Sequence, residues 1–392
     1  MSLVVLATVP TEAVLDGFLP AAACLGLPVQ LLTDCPDAWP SVDASVRDCD
    51  VHDPRAILDL LTQERQPTRP TAVFSNSDHL QVPTALVADY LALPGKDWRA
   101  ALRGKDKALM RRTLTDSGLD TVWARSFTSG EPLPADLPLP AVVKPRSGVA
   151  SEDVYLASTA GEVAARVAEV SGRRDGATVL VEEYLDGPLH TLETLGDGHR
   201  LRVLGGFRTI LGPPPGFIEE RLDWRPELAP GLQQQVLDQV TALGVGFGAC
   251  HTEFIIAGGR ARLVEVNYRM IGDSCEFLLA DLLGEPLFEQ VIRLHLGEPL
   301  TVAGQGQPPG HARVDYPCAD RSGVLVEAPD RMDRDGLVRL AYRPMRAIGE
   351  HRELTGTNRD YLGVVRAVGP DQEAVDQAVE QFLAERTWRV AA

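Results

Sequence analysis

The stretch VGFGACHTEFIIAGGRARLVEVNYRMIGD, residues 245–273, decides the fold of this chain of 392 residues. An apolar run at 248–256 and a second run at 261–266 flank a pair of glycines, which is the pattern of a β-hairpin. Side chains alternate between the two faces of a strand, so the returning strand should bring Glu265 close to Glu253. The sequence therefore predicts two neighbouring carboxylates on one face of a hairpin.

Two further polar residues follow at the same period. Asn267 lies two residues after Glu265, and Arg269 two residues further on. Two carboxylates and an amide are oxygen ligands that Mg2+ accepts while keeping positions free for phosphates and water. The alternative, a pair of exposed hairpin carboxylates, fits poorly with the apolar residues around both acids. We therefore predict a metal site formed by Glu253, Glu265 and Asn267, with Arg269 beside it.

The composition limits the class of protein. The formal net charge is -17, with 44% hydrophobic and 24% charged residues. This length suits two or three compact units. Because an acidic protein repels phosphates, we expect no nonspecific nucleic-acid partner and no anionic membrane surface as a partner. Any phosphate site must be locally basic.

The cysteines and the N-terminus indicate the compartment. Six cysteines are scattered without a CxxC pair, so neither a zinc site nor a disulfide framework is predicted. The opening MSLVVLATVP lacks a basic leader and is too short to span a membrane. We expect a cytoplasmic protein with reduced cysteines.

The first hundred residues alternate strand and helix patterns. Strands are predicted at 3–7, 29–32 and 72–75, and helices at 12–25, 57–66 and 83–91. This order predicts a small doubly wound parallel sheet. The polar residues 75–78 follow a strand, where α/β sheets tend to place ligands, although helix capping explains them equally well.

The second half combines further strands and helices. We predict strands at 192–195, 201–209 and 312–315, and helices at the ranges 228–244, 275–283, 287–296 and 372–385. Residues 297–309 have the Gly, Pro and Gln composition of a linker. Short strand patterns at 323–328, 337–342 and 363–368 then predict an α+β unit at the C-terminal end of the sequence.

Two lysines are candidates for binding phosphate. Lys107 lies on a basic helix predicted at 105–118, where composition alone would make it a solvated residue. Lys144 ends a strand at 141–144 and precedes a loop of mostly small residues that includes Ser147 and Ser151. Such a loop can bring backbone N–H groups close to a phosphate.

The hairpin motif resembles the metal-binding end of the ATP-grasp superfamily, in particular its carboxylate–amine ligases. In these proteins a His-Thr-Glu strand precedes a Glu-x-Asn-x-Arg strand, as in residues 251–253 and 265–269 here. The resemblance covers nearly the whole chain. It implies a mixed α/β and α+β fold with an N-terminal doubly wound α/β domain (1–96), an ATP-grasp domain (97–300, with a lid at about 108–178) and a small C-terminal α+β domain (301–392).

The resemblance also implies roles for individual residues. Lys107 and Lys144 would contact the nucleotide phosphates, and the loop with Ser147 and Ser151 would cover them. The adenine and ribose would be met by the segment after the strand at 179–181, namely by Glu182, Glu183, Leu185 and His190. Leu189 stands where relatives have a ribose-binding glutamate. Glu152 and Asp153 replace smaller loop residues, which leaves the closed form of the loop open.

The implied activity is ATP-dependent amide formation. With ATP and Mg2+ (Mn2+ is also possible), a carboxylate would attack the γ-phosphate, and an amine would then displace phosphate from the acyl phosphate. Arg269 would be the catalytic residue. Glu193, Arg208 and Ser274 are candidates for contacting the small-molecule acid and amine, although a surface position explains each arginine of this region better than a site does.

Two other classes compete with a ligase. One is an inactive ATP-binding regulatory or partner protein on the same scaffold. The other is a biotin-dependent carboxylase subunit, which the sequence disfavours because no carrier domain with a Met-Lys site is present. Within the ligase reading, the opening and the length resemble enzymes of siderophore or peptide natural-product pathways, and the family often forms homodimers. The sequence leaves the acid, the amine and the oligomeric state open.

Overall fold

The computed structural model describes residues 1–62, 69–119, 122–214, 216–225, 227–301 and 310–391. The predicted linker at 297–309 and the end of the helix predicted at 57–66 lie largely outside these ranges. Over the described ranges the protein has a mixed α/β architecture, as predicted, and no helix in them is both long and apolar enough to cross a membrane.

A parallel sheet forms the N-terminal region. Its spatial order is β3-β2-β1-β4, and its strands are β1 (Leu3–Leu6), β2 (Val29–Thr33), β3 (Ser45–Asp48) and β4 (Ala72–Phe74). All four residues of β1 are buried, as is typical of a central parallel strand. The doubly wound prediction for this region is confirmed.

Three helical segments accompany this sheet. A π-helical turn (Ala13–Phe18) continues into α1 (Leu19–Cys24), and α2 (Pro54–Thr62) and α3 (Gln81–Tyr90) follow. Phe18 packs on Phe74 of β4 with ring centroids 4.5 Å apart.

Two helices connect this region to the next. They are α4 (Trp98–Lys105), which the sequence did not predict, and α5 (Lys107–Asp116). The predicted helix at 105–118 is interrupted at Asp106, whose carboxylate accepts hydrogen bonds from the backbone of Ala108 and Leu109. This N-cap makes Lys107 the first residue of α5.

An antiparallel sheet covered by one helix forms the region that we call the lid, after the lid predicted at about 108–178. Its order is β5-β8-β6-β7, and its elements are β5 (Ala124–Phe127), β6 (Ala141–Pro145), β7 (Tyr155–Ala157), α6 (Ala160–Arg173) and β8 (Val179–Glu183). Val163, Val167 and Val170 of α6 pack into the core of this sheet, because spacings of three and four residues place them on one helix face.

The central region contributes six strands and three helices. These are β9 (Leu189–Asp197), β10 (Leu201–Gly205), β11 (Phe207–Leu211), β12 (Glu219–Trp224), α7 (Pro230–Ala242), β13 (Phe247–Ala257), β14 (Arg260–Asn267), α8 (Cys275–Leu283) and α9 (Leu287–His295). At the hairpin turn Gly258 and Gly259 both have positive φ, 58° and 74°, as a type I′ turn requires.

The C-terminal strands continue the central sheet. The remaining elements are β15 (His311–Asp315), β16 (Gly323–Glu327), β17 (Met332–Arg334), β18 (Arg339–Pro344), β19 (His351–Arg352), β20 (Gly363–Gly369), α10 (Gln372–Glu385) and β21 (Arg389–Ala391). In the described residues the sheet runs β14-β13-β9-β11-β12-β15-β20-β18-β17, with β10 on β9. The sheet thus crosses the predicted domain boundary at residue 301, and β16, β19 and β21 form a small separate sheet.

Candidate active site

The residues predicted to bind a metal lie together on the β13–β14 hairpin. Glu253 is paired in register with Glu265, and His251 with Asn267. The Asn267 amide donates a hydrogen bond to Glu253 Oε1 at 3.3 Å. The predicted approach of the two carboxylates is therefore confirmed, and both side chains line one cavity together with Asn267 and Arg269.

A β-bulge shapes this end of the hairpin. The register shifts after Glu253, so that Phe254 opposes Leu263 and Val264 is left as the extra residue. Val264 and Glu265 consequently both line the same cleft, although adjacent residues of a regular strand would face opposite sides. The bulge thus puts an apolar wall residue directly beside a carboxylate.

Cations already face both carboxylates. Lys107 Nζ lies 2.9 Å from Glu265 Oε1, and His251 Nε2 lies 3.4 Å from Glu253 Oε1. His251 Nδ1 contacts Glu193 Oε1 at 2.7 Å. Burial alone would lower the pKa of His251, but the two acids raise it to about 10. The ring is therefore a cation at neutral pH, and Glu193 holds it in place.

The predicted nucleotide segment forms a cleft between the lid and the central sheet. It encloses about 140 Å³, and Lys107 and Lys144 lie on its wall. Its apolar surface comes from both sides and includes Val142, Tyr184, Leu185, Leu189, Ile255 and Val264. Glu183 and Ser151 line it as well. An apolar slot that leads to lysines and carboxylates suits a molecule with a flat apolar end and a charged end.

Glu182 does not lie on the described wall of this cleft. It is buried between Arg111 of α5 and Lys144 of β6, with Arg111 Nε 2.7 Å from Oε1 and Lys144 Nζ 2.6 Å from Oε2. Burial would raise its pKa, but the two cations lower it to about 2. Burial also lowers the pKa of Lys144, against the opposing effect of Glu182. Both oxygens of Glu182 are paired with cations in this structure, so the predicted contact of its carboxylate with adenine stays a prediction.

His190 and Arg208 also lie elsewhere. His190 stacks on Phe254, with ring centroids 5.7 Å apart and planes at 21°, and its neighbour Leu189 takes the position on the cleft wall. Arg208 is exposed and is paired in register with His190. Period two explains both corrections: with Leu189 toward the cleft, His190 must face away from it.

The loop after Lys144 is held at both ends. Arg146 pairs with Asp106, the cap of α5, and Glu152 pairs with Arg359 at 2.6 Å. Ser151 Oγ donates a hydrogen bond to the carbonyl of Phe217, whereas Ser147 is exposed and off the described cavity walls.

Asp153 is fixed as well. It pairs with Arg173 and Arg174 of the lid at 2.9 and 2.8 Å. The two acidic loop residues that depart from the family pattern thus both have cationic partners, and the loop is docked onto the residues around Arg359.

An inner cavity of about 230 Å³ adjoins the cleft between the lid and the central sheet. Arg269 and Asp273 line it, together with Glu219 of β12 and two residues of the C-terminal region, Asn358 and Arg359. Burial and the charge of Glu253 raise the pKa of Glu219 to about 8. Glu219 was not predicted from the sequence, because the segment EERLDW carries no apolar alternation that predicts a strand.

The remaining substrate candidates lie around this centre. Glu193 is buried and bonded to Thr191 and His251, so it positions a ring rather than lining the cavity. Ser274 lines a third cavity, where it bonds Glu12. Asn76, from the polar run after β4, donates to Glu276 at 3.1 Å and accepts from the backbone of Met270. It therefore links two regions and caps no helix.

Known proteins resemble this chain in sequence. No protein-family model matches it. It is 29% identical over 316 residues to the uncharacterized protein y4rH of Sinorhizobium fredii, covering 76% of this chain and 64% of that protein. Carnosine synthase 1 of Gallus gallus is 26% identical over 308 residues, covering 69% and 33%. The chain thus spans less than two thirds of the length of these relatives.

Solved structures match over the whole chain. The L-amino acid ligase of Bacillus licheniformis has a TM-score of 0.83 at 19% identity and covers 100% of this chain and 99% of its own. The biotin carboxylase domain of the Hydrogenobacter thermophilus 2-oxoglutarate carboxylase, solved with MgADP and bicarbonate, has a TM-score of 0.73 at 15% identity, covering 100% and 90%. The chain therefore shares its fold with these ligase and carboxylase structures.

Proposed function

We propose that this protein is an ATP-dependent carboxylate–amine ligase. One observation carries the proposal: Glu253, Glu265, Asn267 and Arg269 line a single cavity, and the adjoining cleft has two lysines and an apolar slot. The relatives named L-amino acid ligase and carnosine synthase support the same class of reaction.

The cleft suits ATP because it has an apolar part for the base and, next to it, two lysines for the phosphates. The base would lie between Val142 and Ile255 near Leu185, and the phosphates would reach Lys107 and Lys144. These lysines now neutralise Glu265 and Glu182. Both lysines are therefore already desolvated, and a phosphate that enters the cleft would contact them beside the carboxylates with which they pair.

The carboxylates fit Mg2+, or Mn2+, as a resident ion. Glu253, Glu265 and Asn267 offer only oxygen ligands. This set has two carboxylates and one amide, and it differs from a cluster of three or more His, Cys, Asp or Glu side chains, of which none within the described ranges could hold a metal ion. An ion bound here would complete its coordination with phosphate oxygens and water, as Mg2+ usually does. When bound, it would neutralise charge on the phosphates.

The reaction follows from these charges. A carboxylate oxygen of the acid substrate attacks the γ-phosphorus, and the bond to the bridging oxygen breaks to release ADP. The amine nitrogen then attacks the acyl carbon, the bond to the phosphate oxygen breaks, and the nitrogen loses a proton. Arg269 would neutralise the acyl phosphate, and the protonated His251 would hold Glu253 in place.

We further propose that both substrates are small molecules and that the product belongs to a peptide-type or siderophore-type natural product. The names of the relatives support the peptide type. We expect the protein to work in the cytoplasm, where ATP is available, and to form a homodimer.

The second candidate is an inactive ATP-binding regulator. The departure at Leu189 motivates it, because a leucine offers no hydrogen bond to a ribose hydroxyl. The intact set of carboxylates, amide and arginine disfavours it, since a protein that only binds nucleotide has no need for a second group of residues around the inner cavity.

The test is release of ADP and phosphate with Mg-ATP against a panel of carboxylic acids and amines. We expect release that requires both substrates and is lost in Glu265→Gln. Glu298→Gln, in an exposed pair with Arg293, is the control and should behave as wild type. Tight ATP binding without turnover on every pair would refute the ligase and favour the regulator.

A further inference from the structure

A third cavity lies between the N-terminal sheet and helix α8, and the proposed reaction assigns no substrate to it. It encloses about 340 Å³ and is lined by Thr8, Glu12, Asn76, Ser274 and Glu276, among others. It shares Arg269, Gly272 and Asp273 with the inner cavity. The two cavities therefore adjoin at these three residues.

Glu276 is the unusual group in this cavity. Its side chain is 2% exposed, and Oε1 accepts a hydrogen bond from Asn76 Nδ2 at 3.1 Å. Oε2 is buried and has no hydrogen-bond partner within the described residues. A buried carboxylate oxygen is normally bonded, so this oxygen is available for a donor that enters the cavity.

The other acids of the cavity set its charge. Glu12 is already bonded to Ser274 and Arg343. Asp273 also lines the cavity, and the loss of water around its carboxylate raises its pKa. Burial likewise raises the pKa of Glu276 to about 7. Arg269 is the cation on the described wall, and its Nη1 donates to the carbonyl of Met270.

This lining favours a cation over an anion. A carboxylate placed here has no hydrogen to donate to the free oxygen of Glu276, and it would be repelled by Glu276 or Asp273 whenever either of them is ionised. A protonated amine would instead supply the missing donor to Oε2 and reduce the negative charge. The polar wall also provides Thr8 and Asn76 for further hydrogen bonds.

We propose that this cavity binds the attacking amine and that Glu276 Oε2 accepts a hydrogen bond from its nitrogen. The inference rests on the proposed ligase activity and assigns its second substrate: a small primary amine that is protonated in solution and passes one proton to Glu276 Oε2 before its nitrogen attacks the acyl carbon. The acid substrate would then occupy the inner cavity beside the metal-site residues. Glu276 is thus a specificity-determining residue for the amine.

The first test separates the three substrates kinetically. In Glu276→Gln we expect the KM for the amine to rise at least tenfold, whereas the KM values for ATP and for the acid stay within twofold of wild type. Carboxylate-dependent exchange of the bridging oxygen of labelled ATP, measured without amine, should remain, because that step precedes amine binding. Glu298→Gln should leave all these values unchanged.

The second test does not need turnover. Binding of ethanolamine and 1,4-diaminobutane to the full-length protein is measured by calorimetry, with wild type, Glu276→Gln and Glu298→Gln compared. We expect binding that is lost only in Glu276→Gln. An unchanged amine KM, a raised acid KM, or amine binding that is absent from wild type or equal in wild type and Glu276→Gln would overturn the assignment.

The two tests also distinguish failure of the ligase from failure of the site. If wild type shows neither ADP release nor isotope exchange with any acid, the proposed ligase is refuted. In that case amine binding that depends on Glu276 would still support an amine site in this cavity. If no such binding is found, the amine site is refuted as well.

Discussion

The buried cluster of Arg111, Glu182 and Lys144 gives the sharpest prediction about stability. Each of the three side chains is only 5% exposed, and the cluster joins α5 to two strands of the lid. In Glu182→Gln the shape is kept but the negative charge is lost, which leaves two cations facing each other in a buried site. We expect this variant to be markedly less stable.

The magnitude follows from the pKa of Glu182. The pKa falls from 4.5 to about 2 on folding, and one tenfold change in proton affinity corresponds to about 1.4 kcal/mol. The charged form of Glu182 therefore contributes about 3 kcal/mol. Removing one partner of a buried pair typically costs about 3–5 kcal/mol, which agrees.

The assay is urea unfolding at pH 7, with wild type compared to Glu182→Gln. Glu169→Gln is the matched control, because Glu169 pairs with Arg166 and Arg173 at the lid surface, where such pairs contribute little. The unfolding midpoint should fall clearly in Glu182→Gln and stay nearly constant in the control. A loss below about 1 kcal/mol would refute the buried-charge argument.

The same cluster predicts a dependence on pH. Between pH 4.5 and about 2 the unfolded chain binds a proton at Glu182 that the folded protein does not bind. The contribution of the charged Glu182 to the stability of the folded protein is therefore complete above pH 4.5 and is lost as the pH falls toward 2. The difference in stability between wild type and Glu182→Gln should shrink over this window, and a constant difference would contradict the assignment.

Three further changes test the site and the sheet. Glu253→Gln should raise the Mg2+ concentration for half-maximal ADP release at least tenfold, because one carboxylate ligand is lost; a Mg2+ titration measures this. Arg359→Ala frees Glu152 of the phosphate loop and should raise the KM for ATP severalfold with little change in the thermal midpoint. Gly206→Ala would place Cβ 2.0 Å from the carbonyl oxygen of Thr191 and should destabilise the protein by about 1–3 kcal/mol in urea unfolding.

Each of these changes has a control. An unaltered Mg2+ requirement in Glu253→Gln would contradict the metal site. Arg321→Ala removes an exposed pair with Asp320 and should leave the KM for ATP unchanged, so an equal effect would argue against the loop contact. Gly231→Ala lies in α7 with no atom within 4 Å of the new Cβ, and a loss equal to that of Gly206→Ala would refute the steric argument.

The β13–β14 hairpin and its predicted metal-binding residues were predictable because the pattern that indicates them is local in the sequence. Two glycines, the period of two and the chemistry of Glu253, Glu265 and Asn267 lie within thirty residues of sequence. The bulge at Val264 was not predictable, since an extra residue leaves no mark in the pattern. The N-terminal sheet was likewise visible from its alternation of buried strands and helices.

Other site residues depend on contacts distant in sequence. Glu276 is held by a hydrogen bond from Asn76, which lies 200 residues earlier in the sequence. Arg359 pairs with Glu152, which lies 207 residues earlier. No local pattern indicates such neighbours. His190 was assigned to the nucleotide because it follows Leu189 in the family position, but the direction of a strand side chain is fixed by its neighbours in the sheet.

The pairing of β12 with β15 has a practical consequence for protein engineering. Leu222 and Val314 face each other in this pair, so cutting the chain after residue 301 would open a strand edge on each of the two pieces. Open edges are templates for pairing. We therefore expect the fragments 1–301 and 302–392 to aggregate alone but to assemble when they are produced together. The two fragments would then form a complementation pair, and the proposed ligase activity would report on the association of two proteins fused to them.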